Sequence, residues 1–163
     1  MKPRIEKLQC SAPGNNCLST RTIRTLLAED SPLLMALLAR IVTKNQRVFI
    51  VGSATNGQKA LWNASTLQLD LVVTDLHMPG MDGAEATRRL KQLPTPPIIF
   101  VVTSDDTPEA RARCLAAGAD VFLVKAGNLA PRLLSAIQEF FPDDLEQNDA
   151  EPKHLRETLT TVE

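Results

Sequence analysis

Five short stretches of this chain are predominantly apolar rather than alternating: Thr22 to Ala28, Val48 to Val51, Leu69 to Thr74, Ile98 to Val102 and Val121 to Val124. A strand with one wet face alternates polar and apolar residues, whereas a strand covered on both faces does not. Between the stretches lie segments with helical signals. Ser31-Pro32 supplies a cap and a first-turn proline, and Leu33, Leu34, Leu37, Leu38 and Ile41 follow at helical spacing. Asn56-Gly57 breaks the chain before a short helix over Gln58 to Ala64. Ala84 to Leu93 reads as a helix stopped by Pro94, Pro96 and Pro97. Thr107-Pro108 opens another, which Gly118 closes, and Leu133, Leu134, Ile137 and Phe140/Phe141 mark a last helix ending at Pro142. Five strands alternating with five helices predict an α/β fold: a doubly wound, five-stranded parallel sheet with helices on both faces.

The chain has 163 residues, enough for one ordinary domain, and 44% of them are hydrophobic. Its formal net charge of -1 gives no global case for binding nucleic acid or an anionic membrane. The charge is uneven. Residues 1–20 are polar, lean basic and show no period, so they read as a flexible arm. Residues 143–163 are acidic and read as a disordered tail, leaving 21–142 as the folded domain. Cys10, Cys17 and Cys114 form no C-x-x-C pair. With no leader read at the start, a reduced, cytoplasmic setting is expected. The longest apolar run, Leu33 to Ala39, is far too short to span a bilayer.

Ligands of an open parallel sheet bind beyond the C-terminal ends of its strands. Glu29-Asp30, Asp75, Thr103 and Lys125 all fall there. Each has an ordinary reading alone: a residue before a helix, a turn residue, a solvated strand end. Together they form a chemical set. Clustered carboxylates repel, and a hard divalent cation such as Mg²⁺ relieves that repulsion. Lys and Thr suit the oxygens of a phosphoryl group. An Asp can itself be the nucleophile and form an aspartyl phosphate.

The segments LLAEDSP, NGQKAL, VVTDLHMPGMDG, FVVTS and AAGADVFLVK occur in that order between Thr22 and Phe141. In this the chain resembles the receiver domain of bacterial two-component response regulators, over about three quarters of its length. The resemblance implies a (βα)5 flavodoxin-like fold. It also implies that Asp75 accepts a phosphoryl group from a histidine kinase or phosphotransfer protein. Asp30 is then the main carboxylate ligand of Mg²⁺ (or Mn²⁺), with Glu29 beside it, Asp75 itself, and the backbone carbonyl of His77 as a further ligand. Lys125 pairs with the phosphoryl oxygens, Thr103 moves to hydrogen-bond them, and Phe122 is the aromatic that turns inward when Thr103 shifts. Asp82 is expected to cap the helix after the Pro79-Gly80 turn.

Three positions depart from the common pattern. Glu29 stands where receivers often have Asp. Ala126 follows Lys125 where many have a cis proline, so the Lys125–Ala126 bond is trans or a strained cis. A non-proline residue there is similar to receivers joined to helix-turn-helix outputs. His77 occupies a position that is often Asn, Arg or Met. It has two readings: a loop residue contributing only its carbonyl, or a side chain active at the site. By resemblance, His77 and Asp105 flank the path of the water that removes the phosphoryl group. An imidazole–carboxylate pair there would shield the site or orient that water.

A haloacid-dehalogenase-type phosphatase needs a second Asp two residues after the nucleophile, where this chain has His77. A DNA-binding regulator needs a basic recognition element, and residues 143–163 are acidic, so direct DNA binding by this chain is not expected. The chain also fits the receiver part of a longer transcriptional regulator, or a degenerate receiver that works without phosphorylation. The favoured expectation is a phosphoacceptor signalling domain, not a dedicated enzyme. It would act through the face formed by the fourth helix, fifth strand and fifth helix. That face includes Arg111, Arg113, Phe122 and the helix from Leu129 to Phe141. A phosphorylation-dependent homodimer is among the assemblies left open.

Overall fold

The computed structural model describes residues 21–142. The expected N-terminal arm and acidic tail, with Cys10 and Cys17, lie outside the described residues. The elements run β1 (Ile23–Ala28), α1 (Pro32–Val42), β2 (Val48–Ala54), α2 (Gly57–Thr66), β3 (Leu71–Thr74), α3 (Gly83–Leu90), β4 (Ile98–Thr103), α4 (Pro108–Ala116), β5 (Val121–Val124) and α5 (Leu129–Phe140). The strands form one parallel sheet in the order β2-β1-β3-β4-β5. This is the expected five-stranded (βα)5 architecture. No helix among the described residues is long and apolar enough to cross a membrane.

Both faces of the sheet are covered, which is why its strands do not alternate. Ile23, Leu27, Leu71, Val73, Phe100 and Val102 face α1 and α5. On that side the Phe140 ring meets Phe100 edge-on, at 5.5 Å between centroids. Leu26, Val72 and Ile99 pack beneath α2 and α3, and Val101 and Phe122 beneath α3 and α4. Burying chains of this size at about 1.5–3 kcal/mol each supplies most of the drive to fold.

The helix starts follow their caps. Ser31, Asn56, Asp82 and Thr107 each accept a hydrogen bond from the backbone three residues on. Gly118, at φ +100°, ends α4 in a conformation that costs glycine little. Several boundaries differ from the sequence reading. β2 continues through Gly52 and Ser53 to Ala54, because a register shift at Thr25/Leu26 keeps it paired with β1. β3 starts at Leu71 rather than Leu69, and α3 ends at Leu90 rather than Leu93. No cis peptide bond occurs among the described residues, so Lys125–Ala126 is trans.

Candidate functional site

The sheet order reverses direction at β1 and β3, so the loops after these strands diverge and leave a crevice. Ala28 and Thr74 are paired across that boundary, and the next residues are Glu29 and Asp75. Glu29, Asp30 and Asp75 each bring a carboxylate oxygen within 4.8 Å of the others. Glu29 and Asp75 are 1% and 7% exposed, whereas Asp30 faces solvent.

Lys125 reaches this cluster from the end of β5. Its Nζ donates to Glu29 Oε2 at 2.7 Å and lies 3.0 Å from Asp75 Oδ2. Buried carboxylates without such a partner would be strongly disfavoured. The remaining oxygens are held by backbone: Leu76 N donates to Asp75 Oδ1 at 2.7 Å, and Ser31 N to Glu29 Oε1 at 3.2 Å. Three carboxylates against one ammonium leave the cluster negative. A hard-oxygen set with one solvent-facing member is compatible with a divalent cation.

The loop after Asp75 is fixed by glycine. Gly80 turns it at φ +77°. A Cβ on Gly83 would stand 2.0 Å from the Asp75 carbonyl oxygen, so only glycine lets α3 start so close to the site. Gly83 N donates to Leu76 O at 2.8 Å. Asp82, just before it, caps α3 through Oδ1 and pairs with Arg113 of α4 through Oδ2.

Thr103 closes the far side. It is fully buried at the end of β4. Its carbonyl accepts from Lys125 N at 2.7 Å and its hydroxyl accepts from Asp105 N at 3.2 Å. Asp105 then holds Thr107 through the Thr107 hydroxyl (2.6 Å) and backbone N (3.1 Å). Its other oxygen lies 3.1 Å from His77 Nε2. The Thr107 bonds, helped by His77, hold the Asp105 carboxyl below its usual range. His77 and Asp105 therefore meet across the rim, joining the loop after β3 to the loop after β4. Phe122 lies inside, 5% exposed, with the Arg111 guanidinium 4.8 Å above its ring.

Glu29, Asp30, Asp75, Thr103 and Lys125 thus converge at one sheet edge, while Phe122 sits three residues before Lys125 on β5. Gly83 and the Asp82–Arg113 pair were not legible as site residues. Gly83 had only its place after the turn to mark it, and Arg113 lies 31 residues from its partner.

Residues 25–138 match the family model of the response regulator receiver domain. A protein-glutamate methylesterase/protein-glutamine glutaminase of Methanospirillum hungatei is 36% identical over 121 residues, covering 72% of this chain and 35% of that protein. A putative transcriptional regulator of Pseudomonas aeruginosa is 35% identical over 113 residues, covering 69% of this chain and 54% of that protein. The chain therefore spans only about a third to a half of these relatives. Among solved structures, the response regulator domain of Thermotoga maritima CheB superposes with a TM-score of 0.68 at 27% identity, covering 74% of this chain and 97% of that one. The signal receiver domain of the putative response regulator NarL from Mycobacterium tuberculosis gives 0.66 at 26%, covering 72% and 98%. The fold is that of receiver signalling domains rather than of a dedicated enzyme, and its acidic cluster is typical of their phosphoaccepting site. The chain belongs to the response regulator receiver domain family.

Proposed function

We propose that Asp75 accepts the phosphoryl group from the phosphohistidine of a histidine kinase or phosphotransfer protein. The observation that carries this reading is the near-buried Asp75 carboxylate at the β1/β3 crevice, facing Lys125 and flanked by Glu29 and Asp30. An Asp75 oxygen bonds to phosphorus as the bond from phosphorus to the imidazole nitrogen breaks. That electron pair stays on the imidazole, which takes up a proton.

Asp30, Asp75 and the His77 carbonyl would hold Mg²⁺ or Mn²⁺, with Glu29 beside them. The bound ion supplies charge neutralisation for the phosphoryl oxygens. Lys125 already lies between Glu29 and Asp75, so it can turn to a phosphoryl oxygen with little loss of pairing. Thr103 brings its hydroxyl to the phosphoryl group by releasing Asp105 N, and Phe122 responds behind it. An open groove of about 540 Å³ between α1 and the loop after β5 is walled by Leu34, Leu38, Ile41, Lys125 and Leu129. It leaves apolar surface beside the site for the donor protein. Downstream contacts fall on α4, β5 and α5, for a separate target or a second phosphorylated copy. The chain spans about a third of the methylesterase relative, and no esterase activity is proposed for it.

Intact-mass measurement with phosphoramidate and Mg²⁺ tests the reading. The wild type should gain one phosphoryl group, Asp30→Ala far less, and Asp75→Asn none. Undiminished labelling of Asp75→Asn would place the site elsewhere.

A further inference from the structure

The helix α4 is held to the body by little apolar surface: only Ala110 and Cys114 are buried along it. Its other ties are polar. At its start, Thr107 is bonded to Asp105, whose backbone N donates to Thr103. In its last turn, Arg113 pairs with Asp82. Asp82 is adjacent to Gly83, whose backbone is pressed against that of Asp75. Besides the Arg111 contact with Phe122, the helix is therefore anchored at two points that both lead to the phosphoacceptor, one through the β4 loop and one through the start of α3.

These anchors conflict if Thr103 moves. Turning its hydroxyl toward a group on Asp75 withdraws it from Asp105 N, and Asp105 carries the first turn of α4. Asp82, by contrast, stays tied to the start of α3, where Gly83 packs against the Asp75 backbone. We infer that the Asp82–Arg113 pair is a latch that favours the resting position of α4 and so opposes occupation of the Asp75 site. This rests on the proposed phosphoacceptor role. A contact present in only one of two forms biases the equilibrium between them, and the bias acts equally on ligand affinity. The pair is part-exposed, with side chains 49% and 34% accessible, so its effect is modest, about two- to fivefold.

The variants Arg113→Gln and Asp82→Asn test the latch, since Asn keeps the α3 cap while removing the charge. Two quantities are measured on the full chain: amide exchange of α4 in the free protein, and affinity for beryllofluoride with Mg²⁺. Each variant should speed α4 exchange and tighten beryllofluoride binding about two- to fivefold. The double variant should add little to either single one. Unchanged exchange and affinity in both single variants, or fully additive effects, would overturn the latch. Phosphoramidate labelling of the wild type is scored alongside. A wild type that neither labels nor binds beryllofluoride would sink the phosphoacceptor role and the latch together. Normal labelling with unaltered variants would sink the latch alone.

Discussion

Gly83 lies against the backbone of Asp75 so closely that a methyl group in place of its hydrogen would enter the Asp75 carbonyl oxygen. The obstacle is main chain, not the movable end of a side chain. Gly83→Ala should therefore push α3 away from β3 and cost about 1–3 kcal/mol of stability. It should also slow phosphoryl uptake, because the Leu76 N–H that holds Asp75 Oδ1 lies in the displaced segment. Denaturant melts and labelling kinetics check both effects. A variant with wild-type stability would mean that the loop yields more readily than its packing implies.

Thr103→Ala should still take up phosphate, since the hydroxyl is not the nucleophile. The change removes the acceptor of Asp105 N, at a cost of about 1 kcal/mol. Most of the amide chemical-shift response of α4, β5 and α5 to beryllofluoride should disappear. A full response would exclude Thr103 as the link.

The His77–Asp105 contact stands at the rim of the site. If it shields the aspartyl phosphate, the phosphorylated half-life should shorten by about twofold in His77→Ala and in Asp105→Ala. The double variant should be no worse than either alone. Lengthened half-lives would show that the pair orients the attacking water instead. Unchanged ones would leave His77 with only its carbonyl.

What the sequence made legible follows from the range of the forces involved. Caps and turns are local, so Ser31, Asp82, Thr107 and Gly118 announced their roles. Strand ends carrying charge are unusual enough to mark Asp75 and Lys125. The far end of β2 was hidden because Gly52 and Ser53 are poor strand formers, held in the sheet by pairing with β1. Long-range ion pairs were hidden for a different reason: many surface charges exist, and no local pattern selects Asp82 for Arg113 or Asp70 for Arg24.

That last pair predicts acid sensitivity. Asp70 accepts from Arg24 backbone N (2.9 Å), Nε (2.9 Å) and Nη2 (3.2 Å), and from Arg21 Nη2 (3.1 Å). Burial pushes its carboxyl up, but the Arg24 bonds and the two positive charges outweigh this and hold it below the ordinary value. The folded form thus binds a proton less readily than the unfolded one. The stabilisation is present above the unfolded value, about 3.9, and is lost as pH falls through the lower folded value. Asp70→Asn should cost about 1–2 kcal/mol at neutral pH and progressively less in acid. Thermal melts across that range decide it, and a cost independent of pH would show that the charge is not what matters.

Arg47 has a quieter consequence. Its Nε donates to Arg21 O at 3.3 Å, and its Nη1 to Phe141 O at 2.8 Å and Pro142 O at 3.1 Å. One guanidinium thus ties the residue that leads into β1 to the residues that follow α5, at the edge of the sheet opposite Asp75. Residues 21 and 142 are thereby held together at the end of the sheet away from the Glu29–Asp30–Asp75 cluster, so a short bridge between them should leave that cluster undisturbed.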